Sequence, residues 1–347
     1  MLATETLPNA LVGYAASAVG KWHLADRNQG DTHPLAAGYS YFAGSMYNLN
    51  VDLFGGGYYR WRKNVNGTAL IETQYATSDT ADDAILRSRV MAPPWFLYVA
   101  FNAPHVPTHE PPATLCPGSC ASSFCPPGSG DAERIKAALE AFDTEVGRVL
   151  GGVDPNAIVV LLGDNGSTSA VTEPPFDPTH AKGTVYQGGV HIPLIVAGPG
   201  VRVGETDALV STVDLPATIA ELAGAKMITP DSVSFAPILF DANAPAPRTT
   251  MYTERFGPNF DPTRESFAPT WHERAIRNGQ YKVLRLSDGS ATRVEMYDLL
   301  VDPHEQHNLF PPANAVEREN YAQLDDVLVE LGVACAADVD RDGDVDL

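Results

Sequence analysis

Four short apolar runs punctuate the first two hundred residues: YAASAVG at 14–20, WFLYVAF at 95–101, AIVVLLG at 157–163 and HIPLIVAG at 191–198. Each meets turn-forming residues at its C-terminal end. Near-continuous apolar runs of this length suit strands covered on both faces, as in a parallel sheet. Between them the period changes from two to between three and four. In 131–150, Ile135, Leu139, Phe142, Val146 and Leu150 fall on one helical stripe. Residues 78–89 predict a second helix with Ser78, Asp79 and Thr80 as caps, and 212–224 a third, closed by Gly224. Strands alternating with helices predict an α/β domain, a largely parallel sheet flanked by helices. After about residue 235 the pattern shifts. YKVLRLSDGSATRVEMYDL reads as two strands around a Ser-Asp-Gly-Ser turn, and a helix is expected at 316–331. The expected organisation is therefore an α/β domain over 1–235, a smaller α+β subdomain with an antiparallel hairpin over 236–333, and a short tail over 334–347.

Composition narrows the function. A formal net charge of −20 argues against a general nucleic-acid binder, which needs a basic face. No apolar run reaches membrane-spanning length, so no membrane span is expected. The first residues lack the basic segment and apolar core of a signal peptide. Cys116, Cys120 and Cys125 share one Pro/Gly/Ser-rich loop with no histidine in it, and Cys335 stands apart. That spacing suits a local disulfide in an exported protein better than a zinc site.

The strand ends carry the chemistry. In open α/β sheets ligands sit beyond the carboxyl ends of the strands. The first run ends in Lys21 and His23, the second in NAPHVP with His105, and the third in GDNG with Asp164 and Asn165. The approach to the fourth, THAKGTVYQGG, carries His180 and Lys182. Each alone has an ordinary explanation as a loop histidine, a turn tripeptide or a solvated lysine. Together they place cations, imidazoles, a carboxylate and an amide at one rim. A fixed cation beside an imidazole suits an anionic substrate whose chemistry moves a proton. In an extended segment Lys21 and His23 would share a face, with Trp22 turned into the core.

The blocks GYAASAVGKWHL, FLYVAFNAPHVP, VVLLGDNG, KGTVYQGGVHIPLIVAGPG and YDLLVDPHEQHNL resemble, in order and spacing, the signature blocks of the type I sulfatases of the alkaline phosphatase-like superfamily. The resemblance runs from about Thr6 to Leu309 and is weak over 45–75, 111–130 and 225–270. It implies a sulfuric ester hydrolase acting on an aryl sulfate or a sulfated carbohydrate. It also implies calcium or another divalent cation held by Asp164 and Asn165, and sulfate oxygens held by Lys21 and Lys182. His23 and His105 would move protons, and a formylglycine hydrate would attack sulfur. The alternatives are a phosphodiesterase or phosphonate hydrolase of the same superfamily, and a non-catalytic protein that binds sulfated glycans.

The resemblance has gaps. The family's nucleophile arises in a Cys/Ser-x-Pro/Ala-x-Arg motif, which occurs nowhere in the 347 residues. The paired aspartates that complete its metal site are also missing. The expectation is an N-terminally shortened chain, inactive by itself, whose signal peptide was lost with the missing part. Gln187 and His191 stand where the family usually has Glu and Arg. At the other end, Asp338, Asp340, Asp342, Asp344 and Asp346, with Gly343, match the opening positions of an EF-hand or dockerin-like calcium loop. A dockerin-like repeat would imply export and a cohesin-like partner.

Overall fold

The computed structural model describes residues 6–25, 29–49, 56–116, 130–227, 229–257 and 270–337. They divide into two compact units, Met1–Ala157 and Ile158–Leu347. The boundary expected near residue 235 falls inside the second unit.

The first unit is built on a five-stranded sheet with β1 (Ala15–Gly20), β2 (Tyr41–Gly44), β3 (Trp61–Val65), β4 (Thr68–Glu72) and β5 (Trp95–Ala100) in the order β4-β3-β2-β1-β5. The Ala-Ala-Ser-Ala-Val-Gly run of β1 is buried beyond its first residue, because small side chains let both faces be packed closely. It pairs in parallel with β2 (Ser17 opposite Tyr41) and with β5 (Ala15 opposite Trp95 through Gly20 opposite Ala100). Strands β3 and β4 then extend the sheet antiparallel. Their two-residue loop, Asn66-Gly67, has φ of 51° and 90°, the left-handed pair that a tight hairpin needs.

Helix α1 (Ala76–Val90) packs on β1, β2 and β5, and α2 (Asp131–Gly152) packs on α1. Two expectations are corrected here. Helix α1 starts earlier than its presumed caps, so Ser78, Asp79 and Thr80 lie inside it and bond tertiary or helical partners instead. Asp79 accepts from the buried Lys63 ammonium at 2.8 and 2.7 Å, and Ser78 donates to Glu145. In α2 the buried face is not the Leu/Val stripe: Leu139 and Leu150 are each 50% exposed. Ala137, Ala138, Ala141 and Glu145 are buried in their place. Small residues win because α1 runs so close that a Cβ on Gly152 would sit 2.9 Å from Ile85.

In the second unit β6 (Val159–Leu162) and β7 (Leu194–Ala197) pair with each other antiparallel, Val159 opposite Ala197. These two apolar runs therefore depart from the parallel arrangement that β1, β2 and β5 adopt. A four-stranded antiparallel sheet follows, ordered β11-β10-β9-β8, from β8 (Met251–Gly257), β9 (Trp271–Arg277), β10 (Tyr281–Ser287) and β11 (Thr292–Asp298). The expected hairpin is β10–β11. Its turn is fixed by the Asp288 carboxylate, which accepts from the Ser290 and Ala291 amides and the Ser290 hydroxyl. Those bonds hold the carboxyl down at about 2.

Helix α3 (Leu215–Leu222) is entered through a Ser211–Asp214 capping box, and the chain turns out at Gly224 with φ 69°. The last helix, α4 (Ala315–Ala337), runs longer than the expected 316–331. Period-two alternation sorts the antiparallel sheet into two apolar faces. Ile276, Val283 and Met296 meet Leu324 and Leu328 of α4, while Ala275, Leu284 and Tyr297 meet Val185 and Tyr186. The second face carries the segment that contains Lys182. Among the described residues no helix is long and apolar enough to cross a membrane.

Candidate active site

In the first unit two glycines let the chain leave the sheet. Gly20 has φ 91°, and a Cβ there would sit 2.0 Å from the Ala100 carbonyl oxygen; one on Gly44 would sit 1.8 Å from the Gly20 carbonyl oxygen. Past this point the backbone continues between its neighbours. The Lys21 amide donates to Ala100 O at 2.7 Å, Trp22 to Ser45 O at 2.9 Å and His23 to Met46 O at 3.0 Å. Trp22 turns inward as expected, 4% exposed, against the rings of Tyr39 and Phe42. Its indole N–H donates to His33 Nδ1 at 3.0 Å. Lys21 is half-buried and His23 exposed on either side of this anchor.

The extended alternation stops at His23, whose φ of 51° is left-handed for a residue with a side chain. Burial lowers the His23 pKa from the ordinary imidazole value, and the positive charges of Lys21 and His105 lower it further. The three groups therefore share one electrostatic environment. A histidine so placed is neutral near pH 7 and free to accept a proton.

His105 is held by its own loop. Its amide donates to Asn102 O at 2.9 Å, and its ring Nδ1 lies 2.8 Å from Val106 O. A carbonyl only accepts, so Nδ1 carries hydrogen and Nε2 is the nitrogen that exchanges protons. Behind the loop, Tyr58 OH donates to His105 O at 2.8 Å. Tyr58 in turn stacks on His109, centroids 3.6 Å apart. His109 donates through Nδ1 to Pro107 O at 3.1 Å and accepts at Nε2 from Tyr75 OH at 2.9 Å. Burial pushes its pKa down to about 4. Tyr58, Tyr75 and His109 were not singled out from the sequence, where they are scattered and follow no motif.

In the second unit β6 runs into Gly163, Asp164, Asn165 and Gly166. The Gly166 amide donates to Gly189 O at 2.9 Å, so close that a Cβ on Gly166 would sit 1.8 Å from Gly188 O. The Lys182 amide donates to Ser167 O at 2.8 Å, tying the lysine segment to the Asp164–Asn165 turn. Lys182 and Asp164 are exposed. His180, two residues earlier, stacks on Tyr186 at 3.5 Å with the rings 4° from parallel.

The Asn165 side-chain oxygen is buried and has no hydrogen-bond partner among the described residues. An orphaned amide oxygen beside an exposed carboxylate is the donor chemistry a hard divalent cation takes. The pair fits such an ion as two of its six to eight oxygens. Among the described residues no group of three or more His, Cys, Asp or Glu is arranged for a metal. The aspartates of the expected calcium loop, Asp338, Asp340, Asp342, Asp344 and Asp346, lie outside the described residues.

Gln187 is buried, and its amide N–H donates to Glu305, which forms an ion pair with the equally buried Lys282 at 2.7 Å. The pKa of His191 is lowered by burial and by the charges of Arg277 and Lys282. The positions where Glu and Arg were expected thus adjoin an acid and two cations from other segments. Cys116, wholly buried, is disulfide-bonded; Cys120 and Cys125, the partners expected from the spacing, lie outside the described residues.

The family model "Sulfatase" matches residues 1–225, and "N-sulphoglucosamine sulphohydrolase, C-terminal" matches 178–332. An uncharacterized sulfatase, YdeN, of Escherichia coli (strain K12) is 28% identical over an alignment of 301 positions that covers 75% of this chain and 51% of that protein. A sulfatase of Formosa agariphila is 31% identical over an alignment of 276 positions that covers 71% of this chain and 48% of that protein. Arylsulfatase A of Bos taurus is 28% identical, over 69% of this chain and 49% of the relative. The chain spans about half the length of these curated relatives. Among solved structures, Ps i-CgsB in complex with k-i-k-neocarrahexaose superposes with a TM-score of 0.72 at 25% identity, covering 95% of this chain and 73% of that one. BT4656 in complex with its substrate D-glucosamine-2-N,6-O-disulfate superposes at 0.70 and 21% identity, over 94% of this chain and 81% of that one. The chain belongs to the sulfatase family.

Proposed function

We propose that this chain carries the sulfate-handling residues of a sulfuric ester hydrolase whose substrate is a sulfated carbohydrate. The observation that carries the reading is the convergence of Lys21 and His105 charge on His23. Lys21 and Lys182 bind sulfate oxygens as fixed cations. His23, neutral near pH 7, accepts a proton. His105, its Nδ1 committed to a carbonyl, delivers one from Nε2 to the departing alcohol oxygen. Asp164 and Asn165 would hold a divalent cation, calcium by preference, which when bound stabilises negative charge on the transferring group. A carbohydrate substrate is favoured by the sugar-bound neighbour at 25% identity. Export is supported by the disulfide at Cys116.

No step is assigned to a nucleophile, because the 347 residues hold no Cys/Ser-x-Pro/Ala-x-Arg motif. A second reading, in which the chain binds sulfated glycans without cleaving them, is separated from the first by the same experiment. The test is calorimetric titration with a sulfated monosaccharide, paired with an assay for free sulfate. Binding that weakens about tenfold in Lys21→Ala and in Lys182→Ala, with no sulfate released, supports the site and this chain's inactivity. Binding indifferent to both lysines would sink the assignment. Tighter binding of a phosphate diester would favour the phosphodiesterase branch of the superfamily.

A further inference from the structure

The second unit contains an open cavity of about 480 Å³, large enough for a sugar ring. Residues 174–178 supply Pro174, Pro175, Phe176 and Pro178 to its lining, and the most deeply buried lining groups are Tyr297 and Glu305. Most of the polar lining is already engaged. Glu305 is bound by Lys282 and by the Gln187 amide, and Tyr297 OH donates to Glu295 at 2.7 Å. The Gln306 amide donates to Pro175 O, and Asn308 Oδ1 accepts from the Met296 and Phe310 amides.

His180 differs. Its Nδ1 is buried with no hydrogen-bond partner among the described residues. Its ring is fixed in place by stacking on Tyr186, whose hydroxyl is anchored on Glu295 at 2.7 Å. A buried, immobilised and unsatisfied ring nitrogen costs free energy unless a water or a ligand hydroxyl meets it. The apolar proline and phenylalanine surfaces suit the C–H face of a ring. Among the described residues the lining includes Asp177 and Glu305 but no lysine or arginine, so a sulfated ring is disfavoured.

We infer that this cavity is a subsite for an unsulfated sugar ring, held against Phe176 and the prolines and hydrogen-bonded to His180. The inference rests on the carbohydrate reading above and adds which part of a glycan this unit recognises: a neutral ring as well as a sulfate. Saturation-transfer NMR with D-galactose, D-glucose and D-mannose, against D-galactose 6-sulfate, tests it on the full chain. At least one neutral sugar is expected to bind with a dissociation constant on the order of 1–10 mM. Phe176→Ala and His180→Ala are each expected to weaken it by roughly fivefold or more, while Val203→Ser, at a fully exposed position, leaves it unchanged. No transfer to any neutral sugar, or transfer untouched by both substitutions, overturns the subsite. Binding of neutral sugars as described, in a chain that fails to bind inorganic sulfate, would support the cavity and count against the proposed function alone.

Discussion

Lowering the pH from about 7 to about 5 is expected to destabilise the first unit through His109, the ring that braces the tyrosine beneath His105. Folded, His109 has a pKa near 4, against 6.5 for the free imidazole. Its Nε2 accepts from Tyr75 and its Nδ1 donates to Pro107, so the native site accommodates the neutral ring and has no place for a second proton. The sign follows directly. Between these two pKa values the unfolded chain binds more protons than the folded one, so stability falls as pH falls. The contribution is complete above the unfolded pKa. It is reduced by about 2 kcal/mol at about pH 5 and by about 3 kcal/mol once the pH is below the folded value. The assay is urea unfolding followed by tryptophan fluorescence at both pH values, for the parent and for His109→Gln. Glutamine keeps a donor and an acceptor but does not titrate. The variant starts less stable, yet its loss on acidification is expected to be smaller by about 2 kcal/mol. An equal loss in both proteins would refute the reasoning, because the proton would then be taken up elsewhere.

Four further outcomes are expected. Gly20→Ala forces a Cβ to 2.0 Å from Ala100 O at a left-handed φ, and is expected to cost more than about 2 kcal/mol in thermal unfolding. Lys21→Ala removes a charge that depresses His23, so the His23 pKa read by NMR is expected to rise toward its ordinary value; an unchanged or lower value would contradict the clustering. Tyr58→Phe deletes one hydroxyl bond to the His105 carbonyl, with an expected cost of about 1 kcal/mol and a displaced His105 imidazole resonance. Asn165→Ala removes the orphaned oxygen, and calcium titration is expected to show weaker binding than in the parent while the unfolding temperature without calcium holds or rises.

The features legible in the sequence were those set by local period and by turn chemistry. The apolar runs at 14–20 and 95–101 became neighbouring parallel strands, and the Ser-Asp-Gly-Ser turn became the β10–β11 hairpin. The Lys21-Trp22-His23 triplet was read correctly for Trp22. Its shared-face argument holds less well, since His23 leaves the strand with a positive φ.

What stayed hidden depends on long-range pairing. The runs at 157–163 and 191–198 look like those of β1 and β5, but strand direction is set by how the chain returns, and apolar content carries no record of it. The β3–β4 hairpin escaped notice although Asn66-Gly67 is a strong turn signal, because Lys63 is buried and breaks the polar–apolar alternation. Two carboxylates, Asp79 and Asp83, each 2.7 Å from its ammonium, make that burial tolerable. In α2, helical period alone favoured the leucines, whereas close approach of α1 favoured the alanines. The Tyr58–His109–Tyr75 support of His105 joins distant residues and follows no spacing rule.

The most direct test of the central claim is an NMR titration of the His23 and His105 imidazoles with inorganic sulfate. The account predicts that both shift on the same saturable curve in the parent chain, that both pKa values rise when sulfate is bound, and that Lys21→Ala weakens the response. Sulfate that leaves both rings unmoved, or moves them equally with and without Lys21, would contradict it.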